Sequence, residues 1–220
     1  MDNVLDRSNL EFHGRIYYAT TEKDACKFCA EIFNNKPVGE ELFVGFDLEW
    51  PVTNSSGHHS NSGAQANAAA VMQICPNETE CYVFQLSAFA GETLPFALRR
   101  LVMALRVKKI GVGIVSDMWK LQRDYGVCVL PVVRNACVDL SELANLVLNC
   151  RQNWSLDGLT RRILKHKLSN KEVSCINRIR CSRWDQFPLS NEQLLYAATD
   201  AYASLTVFNE LTAMQQMERS

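Results

Sequence analysis

The sequence predicts an α/β fold: a mixed β-sheet with α-helices packed on its faces. Three observations carry this. Strand-like segments come first in a run and then alternate with helical ones; residues 42–50 form an apolar, extended stretch ended by Pro51; and Ser190-Asn191-Glu192-Gln193 is a capping box ahead of a long helical segment.

Taken in order, residues 10–19 read as a first strand, apolar and aromatic in an extended pattern. Thr21-Glu22-Lys23-Asp24 opens a helix with Ala25, Phe28, Cys29 and Ile32 at helical spacing. The strand 42–50 follows, then strands 69–75 and 81–86 about a turn at 76–79. Residues 94–105 are helical, and 109–113 form a short strand leading to a helix capped by Ser116 and closed at Gly126. Residues 137–140 end another strand before a helix through Leu148. Ser155 caps a helix ending near Lys165, and the last helix runs from the capping box to about Met214.

A chain of 220 residues is expected to form a single domain over 1–220, interrupted by a mobile polar loop at about 52–68 that is rich in Ser, Asn, Gly and Ala. No apolar run approaches the roughly 18 residues of a membrane-spanning helix, so no membrane association is expected. The first seven residues lack the basic-then-apolar order of a secretory signal. The nine cysteines read as reduced thiols, and Cys26 and Cys29, despite metal-ligand spacing, fit successive turns of a helix.

The formal net charge of −1 conceals an asymmetry. Residues 1–50 carry ten acidic against five basic side chains. Between positions 161 and 183 lie Arg161, Arg162, Lys165, Lys167, Lys171, Arg178, Arg180 and Arg183, opposed only by Glu172. Such a stretch suits a polyanion, although basic runs are often just solvated faces.

Chemistry points to five residues. Asp47 and Glu49, two apart on a strand, leave the same face of an otherwise apolar segment. Two carboxylates side by side near an interior repel each other and resist desolvation unless a cation sits between them, and magnesium or manganese takes such oxygen ligands. Tyr196 and Asp200, four apart, share one face of the last helix amid Ala and Leu. Asp117 follows a glycine-bearing strand where it feeds a helix. Each has an ordinary alternative: a wet strand end, a core-edge aromatic with a partly exposed charge, or a first-turn acid offsetting a helix dipole.

Asp-x-Glu on a strand, a later Asp at a helix start and Tyr-x-x-x-Asp on the final helix together resemble the DEDDy exonucleases, the DnaQ-like and RNase D superfamily with an RNase H-like fold. The segments 45–51, 111–114, 117–121, 153–156 and 196–203 are similar to the Werner-type 3'-5' exonuclease domains, and the likeness extends from about Leu10 to Leu211. The resemblance implies hydrolysis of DNA from 3' ends to 5'-mononucleotides with two Mg2+ or Mn2+ ions. Asp47 would bridge both ions, Glu49 and Asp200 would complete the first site, Asp117 would hold the second, and Tyr196 would orient the attacking water. The backbone at Leu48 would touch the terminal nucleotide, Trp119 would either flank that nucleotide or fill the core, and phosphate contacts for the rest of the substrate would come from Arg161, Arg162, Lys165 and Arg183. It also implies a role in DNA repair or replication and residence in the nucleus, with any helicase in another chain or in a longer parent protein. The alternatives are an RNase D-like exoribonuclease acting on RNA, and an inactive nucleic-acid-binding domain. One departure from the family pattern is that no Lys or Arg occurs from Pro51 through Asn77, where Werner-type domains carry basic residues, and His58 and His59 stand mid-loop.

Overall fold

The computed structural model describes residues 9–51, 67–91, 93–168 and 179–217. The loop expected at about 52–68, with His58 and His59, therefore lies outside the described residues apart from its last two positions, as do Lys171, Glu172 and Arg178.

The main sheet has six strands: β2 (Arg15–Ala19), β3 (Leu42–Glu49), β4 (Val71–Asn77), β5 (Glu80–Gln85), β6 (Val107–Gly111) and β7 (Cys137–Asp139). Their order is β2-β5-β4-β3-β6-β7. β4 runs antiparallel to both neighbours, and the other pairs are parallel. A separate two-stranded pair joins β1 (Asn9–Leu10) to β8 (Lys167–Leu168). This is the mixed sheet that the sequence predicts.

Strand alternation sorts the core into two layers. Leu42, Val44, Phe46 and Leu48 of β3 share one apolar cluster with helices α1 (Glu22–Asn34), α2 (Phe96–Met103), α3 (Ile114–Tyr125) and α4 (Leu130–Asn135). On the other face, Val71, Cys75, Cys81 and Val83 pack with α5 (Leu140–Val147), α6 (Leu156–Leu159) and α7 (Asn191–Met217). Cys26 and Cys29 both lie on α1, the helix that the sequence predicts there, with Cys29 buried and Cys26 exposed.

Several boundaries differ from the sequence reading. The expected strand 10–19 is broken, because Phe12 turns away to pack against Tyr202 and its N–H donates to Thr199 Oγ1 on α7. Helix α2 is shorter than 94–105 because Pro95 occupies its N-cap. Helix α3 starts earlier than a Ser116 cap implies: Gly113, in the left-handed region at φ +72°, is the cap, and Ser116 lies in the first turn. The sequence reading omits α4, whose Pro131 sits in the first turn, where a missing N–H costs nothing. By contrast, the capping box ahead of α7 forms as expected, with Gln193 N–H donating to Ser190 Oγ at 3.2 Å and Ser190 N–H to Gln193 Oε1 at 2.9 Å.

The other parity of β3, namely Phe43, Gly45, Asp47 and Glu49, faces α7. Phe43 stacks on Phe208 with ring centroids 5.0 Å apart. At Gly45 the two elements meet backbone to backbone: a Cβ there would lie 1.8 Å from the Ala201 carbonyl oxygen. A glycine inside a buried strand is otherwise unfavourable, and this close approach accounts for it. Gly45→Ala is expected to destabilise the protein by about 3 kcal/mol, as overpacking against backbone does. Denaturant unfolding would show this as a lower midpoint with an unchanged slope.

Candidate active site

With its position set by Phe43 and Gly45, α7 brings Asp200 over the end of β3. Ligand oxygens of Asp47, Glu49 and Asp200 all lie within 4.8 Å of one another. Asp117 reaches the same cavity from the first turn of α3, outside this trio. The start of α3 is held by Asp139 at the end of β7, whose Oδ2 accepts the Gly113 N–H at 2.9 Å while its Oδ1 caps α5. The cavity, of about 490 Å³, is walled by the four carboxylates together with Tyr196 and Arg180. Sequence reasoning named five of these six residues as the chemical centre, and the fold brings all five together.

Electrostatics in the cavity are severe. Burial, and then the charges of Asp47, Asp200 and Asp117, push the Glu49 carboxyl well above the ordinary carboxylate range; the positive charge of Arg180 works against this. Burial and Asp47 raise Asp117 to about 9, opposed by the ammonium of Lys120. That ammonium is itself buried, 2.9 Å from Asp124 and over the Trp50 ring. The Tyr196 phenol is raised first by burial and then by the charges of Asp200, Glu49 and Asp47. It stays protonated and can donate a hydrogen bond, but it is no base at neutral pH.

Asp47 has a further partner across the sheet. Gln73 stands opposite it in the β3–β4 register, fully buried, and its Nε2 donates to Asp47 Oδ2 at 3.3 Å. Its Oε1 is buried without a partner among the described residues. The amide holds one carboxylate oxygen in place, as outer partners of metal ligands do. Sequence reasoning missed Gln73, although a glutamine inside an apolar strand next to the acid-bearing one was the signal.

The expected substrate residues are placed less uniformly. Leu48 lines the cavity although its side chain is in the core. Trp119 is 39% exposed on α3 and so is not a core filler, but it does not line the cavity. Arg161, Arg162, Lys165 and Arg183 do not line the cavity. Arg161 pairs with Asp157 at 2.8 Å, Arg183 makes a two-pronged pair with Asp185, and Lys165 Nζ donates to the Arg162 carbonyl.

Residues 16–216 match the 3'-5' exonuclease family. The chain belongs to that family. It is 39% identical over 203 residues to the mouse bifunctional 3'-5' exonuclease/ATP-dependent helicase WRN, covering 92% of this chain and 13% of the mouse protein. It is 33% identical over 206 residues to a 3'-5' exonuclease of Arabidopsis thaliana, covering 92% of this chain and 65% of that protein. The chain thus spans only part of the length of these relatives. Among solved structures, the Aedes aegypti Nibbler EXO domain superposes with a TM-score of 0.69 at 19% identity, covering 94% of this chain and 93% of that one. Escherichia coli RNase D superposes with a TM-score of 0.66 at 13% identity, covering 93% of this chain and 46% of that one. These likenesses establish the DnaQ-like, RNase H-like fold of the exonuclease domains. Family membership makes the chain a nuclease of the hydrolase class, and its buried acidic cluster is compatible with divalent cations.

A buried carboxylate cluster leaves a signature in stability. Glu49 and Asp117 bind protons more tightly in the folded chain than in the unfolded one. From the ordinary carboxylate range up to about 9, the folded state therefore holds more protons and stability falls as pH rises. In EDTA, the melting temperature of the wild type is expected to fall relative to that of Asp117→Asn between about pH 5 and about pH 9, and Mn2+ should remove the difference in slope. Comparing the two proteins cancels Lys109, whose burial lowers its amine to about 7 and acts in the opposite direction.

Proposed function

We propose that the chain is a metal-dependent 3'-5' exonuclease that shortens DNA from its 3' end and releases 5'-mononucleotides. The observation that carries this reading is the convergence of Asp47, Glu49 and Asp200 from a strand and a helix far apart in sequence, with Asp117 in the same wall. Carboxyls crowded until their proton affinity rises this far are a donor set for hard divalent cations. Asp47, Glu49 and Asp200 would hold one ion, and Asp47 with Asp117 a second. Bound there, Mg2+ or Mn2+ would supply charge neutralisation at the phosphodiester and an acidified water.

The chain's own groups do the positioning. Gln73 keeps the Asp47 carboxylate in one orientation, so its ligand oxygens need not reorganise. The Tyr196 hydroxyl, protonated and set beside Asp200, orients the attacking water by a hydrogen bond. Its ring is fixed by Trp184, fully buried with its centroid 5.9 Å away. Trp119, partly exposed on α3 but outside the cavity wall, would offer a flat apolar surface to a base only beyond the acids.

DNA is favoured over RNA by the higher identity to the mouse exonuclease joined to a helicase. With that substrate, the chain would act in DNA repair or replication in the nucleus, beside a helicase in another chain or in a longer parent protein. The acids themselves do not sense a 2'-hydroxyl, so a direct comparison of substrates decides the point.

Asp47→Ala is expected to abolish cleavage while leaving nucleic-acid binding largely intact, and EDTA should silence the wild type. Tyr196→Phe should lower kcat by about 100-fold with little change in KM. A labelled recessed-end DNA, a single-stranded DNA and a matched RNA, each assayed with Mg2+, should show DNA degraded fastest from the 3' end. Faster loss of the RNA would reassign the chain as an exoribonuclease, and full activity in EDTA would remove the metal reading.

A further inference from the structure

Arg180 is the one basic residue lining the cavity among the described residues. It belongs to the basic stretch of the sequence, but unlike Arg161 and Arg183 it is not consumed by a neighbouring carboxylate: its guanidinium makes no hydrogen bond or ion pair with a described residue. The side chain is exposed, while its backbone is firmly held. The Trp184 indole N–H donates to the Arg180 carbonyl at 3.1 Å, and the same Trp184 ring packs against Tyr196. The turn is tied to the start of α7 as well, through Gln193 Nε2 donating to Ser182 Oγ at 2.9 Å. Arg180 and Tyr196 thus share a single anchor, which fixes the base of the guanidinium arm relative to the acids.

Charge balance says what this arm is for. With four carboxylates matched by two divalent cations, an arriving phosphodiester adds one negative charge, and Arg180 is the group in the wall that can offset it. A guanidinium offers several N–H donors in a planar fork that fits phosphate oxygens. A cation needed only to relieve Glu49 would be expected to close onto a carboxylate, and Arg180 forms no such pair.

We propose that Arg180 grips the scissile phosphodiester, donating to a non-bridging oxygen, and retains the 5'-phosphate of the released mononucleotide. This rests on the exonuclease reading above and adds to it a phosphate-binding residue outside the acidic set and Tyr196.

The test uses Arg180→Met and Arg180→Lys on the whole chain with Mn2+, measuring strand cleavage and inhibition by a 5'-mononucleotide and by the corresponding nucleoside. Arg180→Met is expected to lower kcat/KM by about 100-fold, with Arg180→Lys recovering part of the loss. The inhibition constant of the mononucleotide should rise, while that of the nucleoside and the Mn2+-induced rise in melting temperature stay unchanged. Unaltered cleavage overturns the proposal. So does a loss confined to strand cleavage with mononucleotide inhibition intact, which would put Arg180 on an upstream phosphate. Loss of the Mn2+ stabilisation also overturns it, by making Arg180 a partner of the acids. A wild type that degrades no 3' end would instead count against the exonuclease reading itself.

Discussion

The contact on which the rest depends is the approach of α7 to β3 at Gly45. Carboxylates do not gather by mutual attraction, and Asp47, Glu49 and Asp200 are brought within 4.8 Å of one another against their repulsion. The apolar layer below supplies the force: Phe43 against Phe208, the Ala201 backbone against Gly45, and Leu205 and Ala197 in the same buried face. Because the helix cannot slide along the strand without driving Ala201 into a side chain or unstacking Phe43, Asp200 has one register relative to Asp47. Helix position and acid geometry are therefore one property of the fold.

The second consequence is energetic. A cluster with proton affinities raised this far opposes folding at neutral pH, and a cation bound only by the folded arrangement would offset that cost. The surrounding polar groups divide this burden in two ways. Lys120 sits behind Asp117, engaged by Asp124 and the Asn67 carbonyl, and its ammonium opposes the rise in Asp117. Arg180 faces the cavity without a fixed partner, so its charge remains available to whatever enters.

Much of this was legible in the sequence, and particular residues show why. The parity of Asp47 and Glu49 follows from strand geometry alone, the Tyr196–Asp200 pairing from helical spacing, and the start of α7 from a capping box whose two reciprocal hydrogen bonds both form. Local rules were sufficient there because the signals are local. Gly45 and Gln73 carried signals of a different kind, a glycine and an amide inside buried strands. What they meant depended on a helix more than 150 positions later in one case, and on the opposite residue of the next strand in the other. The basic stretch has the same limit: composition singles out a run of cations, but only the fold shows that Arg161 and Arg183 are paired locally while Arg180 reaches the cavity.

The arrangement also links substrate grip to chemistry mechanically. The acids stand on β3, α3 and α7, elements locked by the two core layers, whereas Arg180 stands just ahead of the turn segment that leads into α7. That turn is pinned to the far edge of the sheet as well, where Gln85 Nε2 donates to the Gln186 carbonyl at 2.7 Å and Leu189 N–H donates to the Tyr18 hydroxyl at 3.0 Å. Trp184 is the hinge of the assembly, holding the Arg180 carbonyl with its indole N–H and the Tyr196 ring with its face. The group proposed to bind phosphate and the group proposed to orient water would thereby be held to one anchor. Sub-ångström misplacement between two such groups is costly to a displacement reaction, and a shared, fully buried tryptophan is an economical way to prevent it.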